Sequence, residues 1–132
     1  MSPGNNPYWA TKPAPLPRPR RVLSLQSAVA DGRVGNAAAV FTLERLGIEV
    51  VRLDTVAFSN HPGHGAYRGA VRPPSEIAAL VDGLADHGTL ARLDALLIGY
   101  LGAAGTAAVA ADLIDRTRAA VPGCPLVLDP VI

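Results

Sequence analysis

The chain has 132 residues, which suffices for one modest domain, and 49% of them are hydrophobic, which suffices for a packed core. The formal net charge of +1 is unevenly spread: residues 1–21 hold four basic side chains and no acidic one, and the rest hold 8 basic and 11 acidic ones. A mildly acidic folded part with only 5% aromatic residues argues against a nucleic-acid partner.

Cysteine usage and hydropathy indicate the compartment. Cys124 is the single cysteine, so an intrachain disulfide is impossible and a reducing, cytoplasmic location is expected. The amino terminus lacks the apolar core of a signal peptide. The uncharged run 95–111 is rich in alanine, contains three glycines and is shorter than the ~20 residues of a membrane helix, so we expect no membrane span.

Residues 1–20 contain six of the twelve prolines. Proline at this density removes backbone donors and disfavours helices and sheets, so we predict a disordered leader over 1–20 and a folded domain over 21–132. A polyproline ligand within PAPLPRPR is an alternative to which we assign no function.

The next elements alternate between strand and helix. A strand is predicted over 21–25, followed by a turn of small and polar residues and a helix over 37–46. Asn36 is suited to cap that helix, and Gly47 to end it. A second strand is expected over 48–58, with a kink at Asp54.

The second half continues the pattern. A loop over 59–65 leads to a short strand within 67–72, and Ser75 is a suitable cap for a helix with one buried face. That face holds Ile77, Leu80, Val81 and Leu84. A third core strand over 93–98, a helix capped by Thr106 and a fourth core strand from residue 125 complete the order.

This order predicts an α/β fold with a mainly parallel sheet flanked by helices. In such sheets, ligands bind at the carboxyl ends of the strands, so the turn after the first strand is the expected site. The sequence stops where the fourth core strand ends. We therefore expect part of a larger domain, with an uncovered sheet edge.

Six short motifs together resemble pyridoxal kinase, the vitamin B6 salvage enzyme of the ribokinase-like superfamily. They occur in that family's order, near its spacing: VLSLQS (22–27), VGN (34–36), RLG (45–47), TVAFSNH (55–61), GY (99–100) and DPV (129–131). The resemblance implies a ribokinase-like fold truncated after the fourth core strand. It also implies ATP-dependent phosphorylation of the 5′-hydroxymethyl group of pyridoxal.

The resemblance implies a substrate pocket as well. Ser27 would hydrogen-bond the pyridoxal ring, and Val34, Phe58 and Tyr100 would line the ring pocket. From the residues alone, a turn serine and ordinary core positions are the alternatives. His61 would contact the substrate without transferring a proton.

One position departs from the family pattern. Pro62 stands where many members have a threonine, and proline cannot donate a hydrogen bond. Contact there would come through the Pro62 carbonyl, through shape or through the Gly63 amide. The choice between hydroxymethyl pyridines and pyrimidines therefore stays open.

Asp129 would lie near the ATP phosphates and hold Mg²⁺ directly or through its water shell, unless it simply caps the following turn. ATP and Mg²⁺ are the implied cofactors, and a monovalent cation is left open. The family's catalytic base lies in the carboxyl-terminal half, so no catalytic residue is assigned here. A homodimer is expected by resemblance. The alternatives are a catalytically inactive fragment or vitamer-binding remnant, and a structural or regulatory α/β domain.

Overall fold

The computed structural model describes residues 18–129 and 131. Its strands, in chain order, are β1 (Arg21–Asp31), β2 (Glu49–Asn60), β3 (Gly69–Val71), β4 (Ala95–Ile98) and β5 (Leu126–Leu128). Its helices are α1 (Asn36–Arg45), α2 (Pro74–Asp86) and α3 (Thr106–Ala120), and 3₁₀ turns cover Pro62–His64 and Leu90–Arg92.

All five strands form one sheet in the order β3-β2-β1-β4-β5. β1 is parallel to both of its neighbours and β4 is parallel to β5, whereas β3 is antiparallel to β2. The predicted α/β fold with a mainly parallel sheet and flanking helices is therefore confirmed. Because the parallel strands end at the same edge of the sheet, the loops that follow β1, β2, β4 and β5 are brought together there.

The main core lies between one face of the sheet and helices α2 and α3. Its central side chains are completely buried: Leu23, Leu25, Ile77, Val81, Leu96, Ile98 and Leu113. Side chains alternate between the two faces of a strand, so Ser24, between two core leucines, points to the opposite face. There it donates a hydrogen bond to Asn36 of α1, which packs against β1 and β2.

β1 is six residues longer than the predicted strand 21–25, because its second half continues to pair with β2 up to Asp31 and Asn60. The register shifts between Gln26 and Ala28, where β2 contains one extra residue just after Asp54. The kink expected at Asp54 corresponds to this bulge, which increases local twist. The strand therefore continues through the stretch that the sequence suggested was a turn.

Three predicted helix caps are wrong. Asn36 and Thr106 are the first helical residues rather than caps, and the cap positions are Gly35 and Gly105. Ser75 lies inside α2, which begins at Pro74, because the fixed φ of proline suits the first helical position. Leu80, predicted on the buried face of α2, is 43% exposed, while Ile77 and Val81 are fully buried.

Most of the predicted leader, residues 1–17, lies outside the described residues. Arg18 and Arg20 are described, and both pair with the carboxylate of Asp94, at 2.8 and 3.2 Å. Asp94 also accepts a hydrogen bond from the backbone N–H of Arg21, at 2.8 Å. These contacts attach residues 18–20 to the segment that enters β4.

The expected uncovered sheet edge is formed by β5, which pairs only with β4 within the described residues. Val127 and Leu128 on this strand are 58% and 55% exposed. Over residues 18–129 and 131, no helix has the length and apolar character required to cross a membrane.

Replacing Ile77 with alanine should lower the free energy of unfolding by about 2–5 kcal/mol, because the change leaves a cavity in the core. Leu80→Ala, on the same helix, is the matched control and should cost less than about 1 kcal/mol, since Leu80 is half exposed. Urea unfolding followed by circular dichroism measures both. Equal losses would contradict the assignment of the buried face of α2.

Stability should fall at acidic pH through Asp94. The hydrogen bond from Arg18, helped by those from Arg21 and Arg20, lowers the pKa of Asp94 below its usual value of 3.8. A lowered pKa gives a stabilisation that is complete above about pH 4 and lost as the pH falls through the native value.

The test measures the midpoint of urea unfolding for the wild type and for Asp94→Asn at pH values above and below about 4. Their difference should shrink as the pH falls, and also at high salt, because the arginines are exposed. Asp115→Asn, an exposed position on α3, is the control and should show no such trend. A difference that does not change with pH would contradict the role of this ion pair.

Candidate functional site

A cleft of about 350 Å³ lies at the carboxyl ends of β1, β2 and β4. Its walls come from the second half of β1, the turn into α1, the end of β2 with the loop after it, and the segments following β4 and β5. The lining residues are Gln26, Ser27, Val29, Val34, Gly35, Val56, Phe58, His61, Pro62, Gly99, Tyr100, Asp129 and Val131.

Seven of the eight residues predicted to form the site line this cleft: Ser27, Val34, Phe58, His61, Pro62, Tyr100 and Asp129. Gly63 does not line it. The N–H of Gly63 instead donates to Nδ1 of His61 at 3.0 Å, so this amide is already used inside the loop.

Six lining residues were missed by the sequence analysis: Gln26, Val29, Gly35, Val56, Gly99 and Val131. All of them except Val29 belong to the motifs that carry the family resemblance, so membership of a motif was the available signal. Val29 reaches the cleft because β1 extends beyond the predicted strand 21–25. The sequence offered no signal for that extension.

The turn into α1 closes tightly over Ser27. Gly35 has φ 53° and ψ −133°, a conformation that residues with a side chain avoid. A Cβ at this position would overlap the backbone oxygen of Ser27 and lie 2.5 Å from its Oγ. Glycine is therefore required for Val34 and Ser27 to share one wall of the cleft.

A buried polar network lies beneath the floor of the cleft. Asn36 is completely buried, and its Nδ2 donates to Oδ1 of Asp54 at 2.7 Å and to the backbone oxygen of Leu53 at 3.0 Å. Arg52 donates from Nε to both carboxylate oxygens of Asp54, at 2.8 and 3.0 Å. The hydrogen bond with Asp54 raises the pKa of Arg52 above its usual value, so the guanidinium stays charged.

His61 has a defined tautomer in this arrangement. Its Nδ1 accepts the hydrogen bond from Gly63, so Nδ1 carries no proton and Nε2 carries the proton of the neutral ring. The ring lies beside His64, with centroids 5.3 Å apart. His61 therefore offers a hydrogen-bond donor, Nε2–H, to a bound molecule.

The aromatic walls are supported from behind. The ring of Phe58 packs against Tyr67, with centroids 4.9 Å apart and planes tilted by 57°. The backbone oxygen of Tyr100 accepts a hydrogen bond from Oγ1 of Thr55 at 2.7 Å, which fixes the segment after β4. One aromatic residue of the cleft thus comes from β2 and the other from the segment after β4, as is suitable for enclosing a flat ring.

Asp129 is the one carboxylate among the described residues that line the cleft. It is exposed, and its backbone N–H donates to the oxygen of Ile98 at 2.9 Å, which continues the pairing of β5 with β4. Within residues 18–129 and 131, no three histidine, cysteine or acidic side chains form a metal cluster. The cleft therefore combines apolar walls, neutral hydrogen-bonding groups and one negative charge at its edge.

No protein-family model matches the chain. It is 48% identical over 114 residues to the pyridoxal kinase PdxY of Deinococcus radiodurans, and 46% identical over 117 residues to that of Pseudomonas aeruginosa. The chain is a homologue of the pyridoxal kinases. These alignments include 86% and 89% of this chain, but only 38% and 41% of the relatives.

Solved pyridoxal kinases share the fold. The enzyme from Leishmania donovani in complex with ADP and pyridoxamine matches with a TM-score of 0.79 at 30% identity, over 83% of this chain and 40% of that one. The enzyme from Trypanosoma brucei matches with a TM-score of 0.76 at 30% identity, over 84% of this chain and 41% of that one. The chain thus spans about 40% of the pyridoxal kinases that it matches.

Gly35→Ala should destabilise the protein more than Gly47→Ala, because at Gly35 both the backbone conformation and the contact with Ser27 disfavour a Cβ. Both glycines have positive φ, 53° and 78°, but a Cβ at Gly47 would meet nothing within 4 Å. We expect about 1–2 kcal/mol for Gly47→Ala from backbone conformation alone, and a larger loss for Gly35→Ala. Thermal and urea unfolding provide the measurement. Equal losses would show that the turn can move away from Ser27.

Proposed function

We propose that the cleft binds pyridoxal or a related vitamer, and that the chain supplies the substrate-binding part of an ATP-dependent pyridoxal kinase. The activity is transfer of a phosphoryl group from ATP to the 5′-hydroxymethyl group of pyridoxal, in the cytoplasm and, by resemblance, in a homodimer. One observation carries the proposal: seven residues, predicted from motifs spread over residues 27–129, lie around a single cleft.

The ring of the vitamer would be enclosed by Val34, Phe58 and Tyr100, which contribute apolar and aromatic surface to the cleft walls. The hydroxyl of Ser27 can both donate and accept, so it suits either the ring nitrogen or the ring hydroxyl. The position of Gly35 against Ser27 holds this hydroxyl at the cleft wall, which reduces the entropy lost on binding.

The loop after β2 would contact the substituents of the ring. His61 offers its Nε2–H as a donor, and the Gly63 amide is already engaged by His61. The Gly63 amide is therefore the least suitable of the three substrate contacts expected at this position. The Pro62 carbonyl, or the shape of the proline ring, would contact the substrate instead. Contact through shape tolerates more than one substituent, so several vitamers should bind.

Asp129 would face the nucleotide. Magnesium usually keeps several of its waters and binds through one or two carboxylates together with the phosphates, so a single exposed aspartate fits this role. The ion, when bound, would neutralise charge on the phosphates. Asp129 would hold the ion or one of its waters at the edge of the cleft.

A second candidate function is binding of the vitamer without turnover. Removing a proton from the hydroxymethyl group requires a base within hydrogen-bonding reach. Within the described residues, the cleft holds one carboxylate, Asp129, which the proposal assigns to the nucleotide. That composition favours a chain that binds its substrate but does not phosphorylate it alone.

Titration of the 132-residue protein with pyridoxal, followed by absorbance, tests the binding step. Ser27→Ala should weaken binding about tenfold, the value of one hydrogen bond of about 1.4 kcal/mol. Ser75→Ala, exposed on α2, is the control and should bind like the wild type. Adding Mg-ATP then separates the candidates: product formation supports the kinase, and binding without product supports the second function. A folded protein that binds no vitamer would contradict both.

A further inference from the structure

We infer that Gln26 determines specificity in the cleft: the polar network beneath it fixes the side-chain amide so that Oε1 faces the ligand as a hydrogen-bond acceptor. The cleft then selects rings that present a donor at this point. The identity of the ligand rests on the proposed function, whereas the orientation of the amide rests on the network alone.

The network has a fixed direction because it begins at groups that can only accept. The carboxylate of Asp54, which also accepts from Arg52, and the backbone oxygen of Leu53 both receive hydrogen bonds from Asn36. Only the NH₂ group of Asn36 can supply these bonds, so its Oδ1 must point the other way. Oδ1 of Asn36 lies 2.7 Å from Oγ of Ser24.

The hydrogen bonds of Ser24 determine the orientation of Gln26 in the same way. The hydroxyl of Ser24 has one proton, and that proton is donated to Oδ1 of Asn36. Towards Gln26 the hydroxyl can then only accept. The atom of Gln26 at 2.8 Å from Oγ of Ser24 must therefore be Nε2, as the structure has it. A flipped amide would place two acceptors against each other inside the protein.

The opposite side of the amide faces the cleft. Gln26 and Gly99 both line it, and a Cβ on Gly99 would lie 2.6 Å from Oε1 of Gln26 and 3.0 Å from its Cβ. Glycine at position 99 thus leaves the space that the amide occupies. Within residues 18–129 and 131 no protein donor is bonded to Oε1, and it is not among the buried polar atoms lacking a partner, so it is open to a ligand.

Two neighbouring groups of the cleft therefore differ in what they recognise. The hydroxyl of Ser27 adapts to a donor or an acceptor, but Oε1 of Gln26 accepts only. A ring hydroxyl or a protonated ring nitrogen would gain a hydrogen bond from Gln26, and an acceptor in the same place would be repelled. The site should prefer a heteroaromatic ring with a donor on its edge over one with acceptors alone.

Nuclear magnetic resonance of the free protein tests the orientation. Gln26 is the single glutamine of the sequence, so selective ¹⁵N-glutamine labelling of the 132-residue protein gives one unambiguous side-chain NH₂ pair. We expect slow hydrogen exchange for one of the two protons and an Overhauser contact to the Cβ protons of Ser24. The slow exchange should be lost in Ser24→Ala, which removes the accepting hydroxyl. A freely exchanging NH₂ pair in the wild type would overturn the inference.

Binding measurements test the specificity. Gln26→Met keeps the length of the side chain and removes the acceptor, so it should weaken pyridoxal binding about tenfold. The probe for comparison is 3-deoxypyridoxal at mildly alkaline pH, whose ring carries neither a hydroxyl nor a protonated nitrogen. Its affinity should change less than about twofold between the wild type and Gln26→Met.

Equal weakening for both probes would overturn the inference, since Gln26 would then act through packing alone. Circular dichroism checks that Gln26→Met remains folded. If the wild type binds neither probe, the proposed function fails, and the resonance experiment still decides the orientation of the amide independently.

Discussion

The completely buried amide of Asn36 is the contact on which the cleft depends, because it joins α1 to β1 and β2 at the point where both strands pass under the site. Burying an amide is unfavourable unless its donors and acceptor are paired, and here each one is. The bond to Asp54 also has a charged acceptor, which makes it stronger than a bond between neutral groups. A network that is fully paired tolerates only one arrangement, so the start of α1 is held in one position relative to the sheet. The turn that carries Val34 and Gly35 leads into α1, so its position is fixed as well. The turn then fixes the cleft wall around Ser27.

The order of strands and helices could be predicted because hydrophobic periodicity and glycine or proline boundaries are local properties of the sequence. The errors arose where tertiary contacts decide. Asn36 and Thr106 have the side chains of helix caps, yet both are buried and begin their helices, since the sheet offers Asn36 more partners than its own first turn would. In the same way, β1 runs to Asp31 because β2 lies beside it, although the polar residues after Leu25 are typical of a turn. Local preference predicts elements well and their ends poorly.

The candidate site was predicted more completely than the element ends, because its residues were implied by the resemblance to pyridoxal kinase, and a parallel sheet brings together the segments that carry the matching motifs. What the motifs could not give is the direction of each polar group. Gln26 stands beside Ser27 in the sequence, but only the chain of bonds through Ser24 and Asn36 shows which end of its amide the cleft receives. For Gly63 the network removes a contact that the sequence allowed. Its amide was a plausible substrate contact, but in the structure it donates to His61. Hydrogen-bond direction is a property of the assembled network and not of any single residue.

The strands on the two sides of the cleft also differ in length, pairing and burial. Ser27, Gln26 and Phe58 lie on β1 and β2, which are long, paired with each other and tied to α1 through Asn36. Asp129 follows β5, a three-residue strand that has one neighbour within the described residues and two apolar side chains more than half exposed. Short edge strands with few buried contacts are the parts of a fold that open most easily. The positions of Ser27, Gln26 and Phe58 should therefore depend on the stability of the central sheet, whereas the position of Asp129 should depend on the stability of β5. Because the proposed ring contacts and the proposed nucleotide contact lie on different strands, changes at β5 should alter the position of Asp129 more than the positions of the proposed ring contacts.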